Sequence, residues 1–492
     1  MALAEVLAAL PIETQAMVRR LVANANDAEL RVYLVGGPVR DLLLGRAIRD
    51  VDLLVESAGD DVDPSQDAPA MALAEQARSA SGRVVAHGRF GTVRLEEDGA
   101  HVDLASARKE TYKRPGALPD VERAGLDEDL LRRDFSVNAM AIPLQGSPEA
   151  GTTRVHDPLG GLADLEARRL RVLHDRSFHD DPTRALRAAR LGARLDFGLA
   201  RGTRSALRDA LRDGAFGGVS GERFRREVQR CFSDARLGLN PAAALRLLAR
   251  WHVLPALEPG LDLPREAITP LRRFGRFVAE PLWKSGATPP WQAGMAIWLS
   301  ALPSPLARRT LARLSIRGEV AKRITDFAKL RESILGRLAK ARGRGAVDEL
   351  LAPIHEDALE ALWACSEPAE RRRVVRWAAE DRPRRSPLTG ADVTALGLAG
   401  PDVGRVLARV RAAHLDGDVA NREEALALAT ELAQRPERPK RRPVRAKAKR
   451  QGGKAAAKPA ARASPKKKSA ARRTTKPTKK GRRASRPAPD EA

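Results

Sequence analysis

Asp50 and Asp52 stand two residues apart at the head of the apolar run VDLLV, residues 51–55. At the start of a strand, positions i and i+2 share a face, so the two carboxylates emerge side by side. They repel each other unless cations lie between them, and hard oxygen ligands on a strand suit Mg²⁺ bridging to nucleotide phosphates. An isolated Asp-x-Asp is more often a solvated strand edge. What precedes the pair alters that reading. The run RVYLV (31–35) ends at Gly36-Gly37, and glycines between a strand and a helix let backbone amides approach a triphosphate without Cβ interference. Arg40, one turn further, is placed to grip a phosphate oxygen. This is no Walker A loop, because the second glycine and the Lys-Ser/Thr are absent. Asp103, in HVDLA (101–105), offers a third carboxylate to the metal set.

A second constellation is HDDPTRALRAAR, residues 179–190. Acids and a proline precede arginines at 184, 187 and 190. A solvated helix alternates charge signs, and a core helix would carry leucines where these arginines stand. Each step of three turns about 60° around a helix, so the three guanidinium groups cannot serve one ligand atom. Ala185, Ala188, Ala189 and Ala193 leave room for close helix packing.

The elements that must hold these groups follow from periodicity and punctuation. Strands are expected at 31–35, 51–55, 83–87, 92–96 and 101–105, with helices after Gly37 (Gly45 as its stop) and over 71–80. Residues 57–69 read as an acidic loop and 109–127 as a Pro/Gly-containing loop. Beyond Asp157 the period is helical almost throughout, to about Gln434, with a weak break at Gly238–Pro241 and a connector at 258–270.

The chain has 492 residues, enough for several domains. We divide it into a head (1–150), a helical neck (151–240), a helical body and tail (241–434) and a basic C-terminal segment (435–492). That last segment holds 23 of the 88 Lys and Arg but 3 of the 63 Asp and Glu. Rich in Lys, Ala and Pro, it is expected to be disordered and to grip RNA phosphates without sequence preference. No apolar run approaches the roughly 18–20 residues that span a bilayer. The two cysteines, Cys231 and Cys365, form no paired motif, which argues against a disulfide framework or zinc site and for a reducing cytoplasm. His101, His156, His174 and His179 lack metal-ligand spacing.

LVGGPVRD…RDVDLLV (34–55) resembles the nucleotidyltransferase signature of the class II tRNA nucleotidyltransferase (CCA-adding enzyme) and bacterial poly(A) polymerase family. DEDLLRRDFSVNAMAI (127–142), HDPLGGLADLEARRLRVL (156–173), DDPTRALRAARLGARL (180–195) and SGERFRREVQRCF (220–232) follow in the family's order. The resemblance implies an α+β fold with a polymerase-β-like head, then an all-helical neck, body and tail. It implies that Gly36, Gly37 and Arg40 contact the incoming nucleotide and that Asp50, Asp52 and Asp103 serve the catalytic metals. Arg133 would meet phosphate or sugar, while Asp134 and Asn138 shape the ribose pocket. DPLGGLADL would join head to neck.

In that family the helix at the Asp-Pro is a protein template. ATP and CTP both present an exocyclic amine beside an unprotonated ring nitrogen. Asp181 would accept from the amine and Arg184 donate to the ring nitrogen, meeting one base as i,i+3 neighbours. UTP and GTP present the opposite pattern and would leave buried polar groups unpaired. Arg187 would assist at nucleotide or phosphate; for Arg190 a nucleotide role and an intramolecular ion pair both remain open. Asp180 stands where the family commonly has Glu, and Pro38 where a small or apolar residue is usual. The expected activity is addition of CMP and AMP to the 3′ end of tRNA, with Mg²⁺. The loop 107–121 resembles the mobile segment of CCA-adding members. Addition of A only or CC only, poly(A) synthesis, and a silent RNA-binding scaffold are the alternatives.

Overall fold

The computed structural model describes residues 3–57, 69–87, 92–111, 120–145, 153–284 and 288–434. Most of the expected acidic loop, the centre of the 107–121 loop and the basic segment 435–492 lie outside the described residues. Residues 1–435 form a single contact unit.

The head is built on β1 (Leu30–Val35), β2 (Asp52–Ser57), β3 (Arg83–His87), β4 (Thr92–Glu97) and β5 (Ala100–Ser106), with β6 (Arg108–Thr111), β7 (Asp120–Arg123) and β8 (Ala141–Pro143) after them. Six strands pair in the order β3-β4-β5-β2-β1-β8. The central strands read as apolar runs because both faces are covered. Helices Ile12–Asp27 and Pro69–Ala77 pack on one face, and the helix Leu126–Leu131 closes a smaller cluster with Val35, Leu54 and Ala141 on the other. The parallel pairing of β2 with β5 sets Asp52 opposite Asp103, and the antiparallel pairing of β5 with β4 sets Asp103 opposite Arg94. One strand register thus lines up three charged side chains.

The sequence readings are adjusted in four places. The expected loop 109–127 contains the β6–β7 pair, which forms a separate two-stranded sheet. The helix 71–80 runs instead over Pro69–Ala77. The connector 258–270 ends early, since Arg265–Ala279 is helical through Pro270, its apolar face (Ala267, Leu271, Phe274) buried. Here packing overrides the lost backbone bond at proline. A two-residue pair, β9 (Arg169–Leu170) with β10 (Gly198–Leu199), sits within the otherwise helical neck.

Helix Gly161–Glu166 joins sheet to neck, as DPLGGLADL suggests. Asp157 accepts from the Gly161 and Leu162 backbone N–H groups at 2.6 and 2.9 Å. A Cβ on Gly161 would lie 2.4 Å from the Ser136 carbonyl oxygen, so only glycine permits this approach. Helix Arg184–Leu195 packs against Gly221–Ser233 and Pro241–Arg250, with Ala185, Ala188 and Ala189 fully buried.

Candidate active site

β1 ends at Gly36, whose φ of +74° starts the helix Gly37–Leu43. A Cβ there would also meet the Arg133 guanidinium at 2.8 Å, so glycine serves conformation and space alike. The helix does not aim Arg40 into open water. Arg40 is 4% exposed; Nε and Nη2 donate to Asp41 Oδ1 at 2.9 and 2.8 Å, and Nη1 to Asn138 Oδ1 at 2.6 Å. Asn138 Nδ2 donates to Asp134 Oδ1 at 3.1 Å. Arg187 Nη2 reaches Asp134 Oδ2 at 2.9 Å. Arg40, Asn138, Asp134 and Arg187, expected at phosphate, sugar and nucleotide, are therefore one chain of contacts that begins at Asp41; the expected base readers Asp181 and Arg184 are not links in it.

Burial would raise the Asp134 pKa, but Arg187, the Asn138 hydrogen bond and Arg184 outweigh it and hold the group below the ordinary carboxylate range. Arg133 lies behind Gly36 and donates through Nη2 to Asp129 Oδ2 at 2.8 Å. The fully buried Asp129 also takes Arg132, at 2.6 Å.

A cleft opens beside this network, lined by Gly37, Arg40, Arg46, Arg49, Asp50, Asp52 and Arg194 among others. β2 begins at Asp52, so Asp50 lies in the bend before the strand, not on it. Asp52 is pushed up to about 6, by burial first and then by the facing Asp103 charge, with Arg133 opposing. A half-buried carboxylate short of positive neighbours, beside a second carboxylate on an open cleft, fits a hard divalent cation. Asp103 is different. Arg94 holds it with Nε–Oδ1 of 2.7 Å and Nη2–Oδ2 of 2.8 Å. Among the described residues no three His, Cys, Asp or Glu side chains form a group able to hold a metal. The structure thus brings Asp50 and Asp52 to the cleft and gives Asp103 to Arg94.

The template segment is broken where the sequence suggested one helix. Ser177–Asp180 is a short helix, Asp181 is extended (φ −138°, ψ 91°), and the next helix runs from Arg184 to Leu195. Pro182 is the cause, since it disfavours helical geometry in the residue before it. Asp181 and Arg184 are joined by a turn, Arg184 N–H to Asp181 C=O at 3.0 Å, and not by a helical i,i+3 face. Arg184 is buried, donating to Ser177 Oγ at 2.5 Å and to the Arg132 carbonyl at 2.9 Å. Arg190 pairs with Glu227 and, at 2.6 Å, with Asp234. Of its two readings the intramolecular one describes this geometry. His179 pairs with Asp213 at 2.9 Å and stands apart from any nucleophile–base arrangement.

Sequence reasoning passed over Asp129, Arg194, Thr183 and Arg223. Asp129 carries a signal, lying three and four residues before Arg132 and Arg133 on a helix end. Arg194, which pairs with Asp41, extends the arginine spacing by one turn. Arg223, whose Nη2 lies 2.8 Å from Asp181 Oδ1, comes from a distant helix; it lies in the stretch 220–232 that carries the resemblance, but no spacing ties it to Asp181.

The mixed sheet, its Gly-Gly turn and the cleft carboxylates define a polymerase-β-like nucleotidyltransferase head. Residues 32–171 match the model of the poly A polymerase head domain. The A-adding tRNA nucleotidyltransferase of Geobacter sulfurreducens is 31% identical over 436 residues, covering 86% of this chain; the chain spans only 48% of that relative. The CC-adding tRNA nucleotidyltransferase of Deinococcus radiodurans is 34% identical over 435 residues, 85% of this chain and 94% of that protein. Among solved structures, a CCA-adding enzyme without ligand aligns with a TM-score of 0.66 at 27% identity, over 87% of this chain and 98% of that one. The Thermotoga maritima CCA-adding enzyme in complex with tRNA-CCA aligns with a TM-score of 0.60 at 26% identity, over 88% and 98%. The chain belongs to the tRNA nucleotidyltransferase family.

Proposed function

We propose that this protein adds CMP and AMP from CTP and ATP to the 3′ end of tRNA, building or repairing a CCA terminus. The observation that carries this is Asp181, an acceptor, joined by one turn to Arg184, a buried donor that reaches Ser177 and the Arg132 carbonyl. That pair suits the amine edge that cytosine and adenine share and mismatches uracil and guanine. Asp50 and Asp52 would hold Mg²⁺, which when bound would polarise the α-phosphate and favour the ionised 3′-hydroxyl. Gly36 and Gly37 admit the triphosphate, with Arg40 and Arg133 behind them. Asp134 and Asn138 border the ribose, and Arg187 neutralises Asp134 beside it. Arg94 holds the Asp103 carboxylate in place opposite Asp52, so Asp103 shapes the field at the metal site.

We assign catalysis to 1–150, base reading to 151–240, tRNA contact to 241–434, and salt-sensitive RNA contact to 435–492. Among the described residues no helix is long and apolar enough to cross a membrane, and both cysteines are free; a cytoplasmic tRNA enzyme fits both. A second reading, addition of A only or CC only, is favoured by the names of the two curated relatives. The test supplies tRNAs ending before, within and after CCA with Mg²⁺ and CTP or ATP, singly and together. Completion of all three nucleotides supports the first reading, and a product halted after CC, or extension only of a CC end, supports the second. Long A-tracts on generic RNA would overturn both.

A further inference from the structure

Three donors converge on one oxygen of Asp181. The Thr183 backbone N–H and hydroxyl donate to Oδ1 at 3.0 and 2.6 Å, and Arg223 Nη2 reaches the same Oδ1 at 2.8 Å. Both hydrogen bonds that Asp181 accepts from Thr183 thus fall on Oδ1. Because Asp181 is extended before Pro182, no helix face fixes its side chain. A carboxylate torsion is broad and roughly two-fold, so without these contacts either oxygen could face a base. Thr183 is a chain neighbour and turns with the segment. Arg223, anchored in the first turn of the helix Gly221–Ser233 where its N–H is capped by Ser220, is the external fixed point.

We propose that Arg223 is a positioning residue for base selection: it pins Asp181 Oδ1, so that only Oδ2 meets the base. This rests on Asp181 and Arg184 reading the nucleotide. A pinned Oδ2 accepts from the amine of cytosine or adenine and repels the carbonyl of uracil or guanine. An unpinned carboxylate swings aside, loses part of its bond to the correct base and ceases to reject the wrong one. Arg223 therefore acts on the ratio between nucleotides more than on the rate.

The experiment compares full-length wild type with Arg223→Ala, Arg223→Lys and Arg226→Ala, the last removing the same charge from an exposed position of that helix. Incorporation kcat/KM on truncated tRNA is measured for CTP against UTP and for ATP against GTP. Dissociation constants for the same nucleotides are measured on the protein alone. In Arg223→Ala the preference for the correct base is expected to fall at least ~10-fold in both assays. Arg223→Lys should recover most of it, because the contact is made by a single nitrogen and needs only a point charge. Arg226→Ala should keep the wild-type ratio. An Arg223→Ala ratio equal to wild type, or a loss shared equally by all four nucleotides, overturns the proposal. Wild type that binds selectively but transfers nothing, with selectivity lost in Arg223→Ala, sinks the enzymatic reading and leaves this one standing. Absence of any binding preference in wild type overturns both.

Discussion

The sheet edge at Asp52 and the network around Asp134 and Asp181 treat their carboxylates in opposite ways. On the sheet side, burial and the facing Asp103 push Asp52 up to about 6, with only Arg133 and Arg94 opposing. On the helical side, burial acts on Asp134 in the same direction, but Arg187, Asn138 and Arg184 reverse it. Asp181 is likewise met by Thr183 and Arg223. The difference separates two tasks. A chemical site waiting for a cation must leave negative charge uncompensated, whereas a reading site gains from donors fixed before the base arrives.

Several substitutions break or sharpen this contrast. Asp52→Ala should lower single-turnover nucleotide transfer by roughly 10³-fold or more, since it removes the charge at the chemical centre. CTP-over-UTP binding should survive; if it is lost as well, the two sides are not separate. Arg184→Ala should lower that preference by about 10²-fold while phosphate binding, followed with pyrophosphate, changes little.

The stability effects carry opposite signs on the two sides. A carboxyl whose folded pKa is raised contributes stability that is fully present below the unfolded value and is lost as pH rises through the folded one. For metal-free protein, the Asp52 effect is therefore lost between about pH 4 and 6. Asp52→Asn should be the more stable form at pH 7.5 by about 2 kcal/mol in urea unfolding, and Mg²⁺ should stabilise only the wild type. Asp134, with its lowered pKa, contributes stability above the unfolded value and loses it as pH falls through the folded one. Arg190→Ala removes the contacts to Glu227 and Asp234, with Glu227 keeping only the exposed Arg230, and should cost about 2 kcal/mol, with base preference unchanged. Deleting 435–492 is the mildest test. Single-nucleotide addition should persist, while RNA affinity at moderate salt falls and its salt slope becomes shallower.

Much of this site was legible from residue types and local spacing. The strands carrying Asp52 and Asp103, the turn at Gly36-Gly37 and the helix bearing Arg184 and Arg187 are marked by apolar runs and by glycine or proline at their ends. Even the break before Arg184 has a local cause in Pro182. Partnerships were not legible. The spacing of Arg40 suggests a phosphate grip but says nothing of its hydrogen bonds to Asp41 and Asn138. Asp103 looked like a third metal ligand because nothing in the chain announces that Arg94 will face it.

By itself the sequence determined which backbone shapes and which charged groups would be present. Propensity, periodicity and the geometry of glycine and proline act within a few residues. Only the tertiary structure decided which carboxylate would stay unneutralised. Strand register put Asp52 beside Asp103 and Asp103 beside Arg94, and packing of the neck helices brought Arg223 to Asp181 and Glu227 to Arg190. Charges interact through space over a few ångströms, and pairs dozens of residues apart leave no local pattern to read.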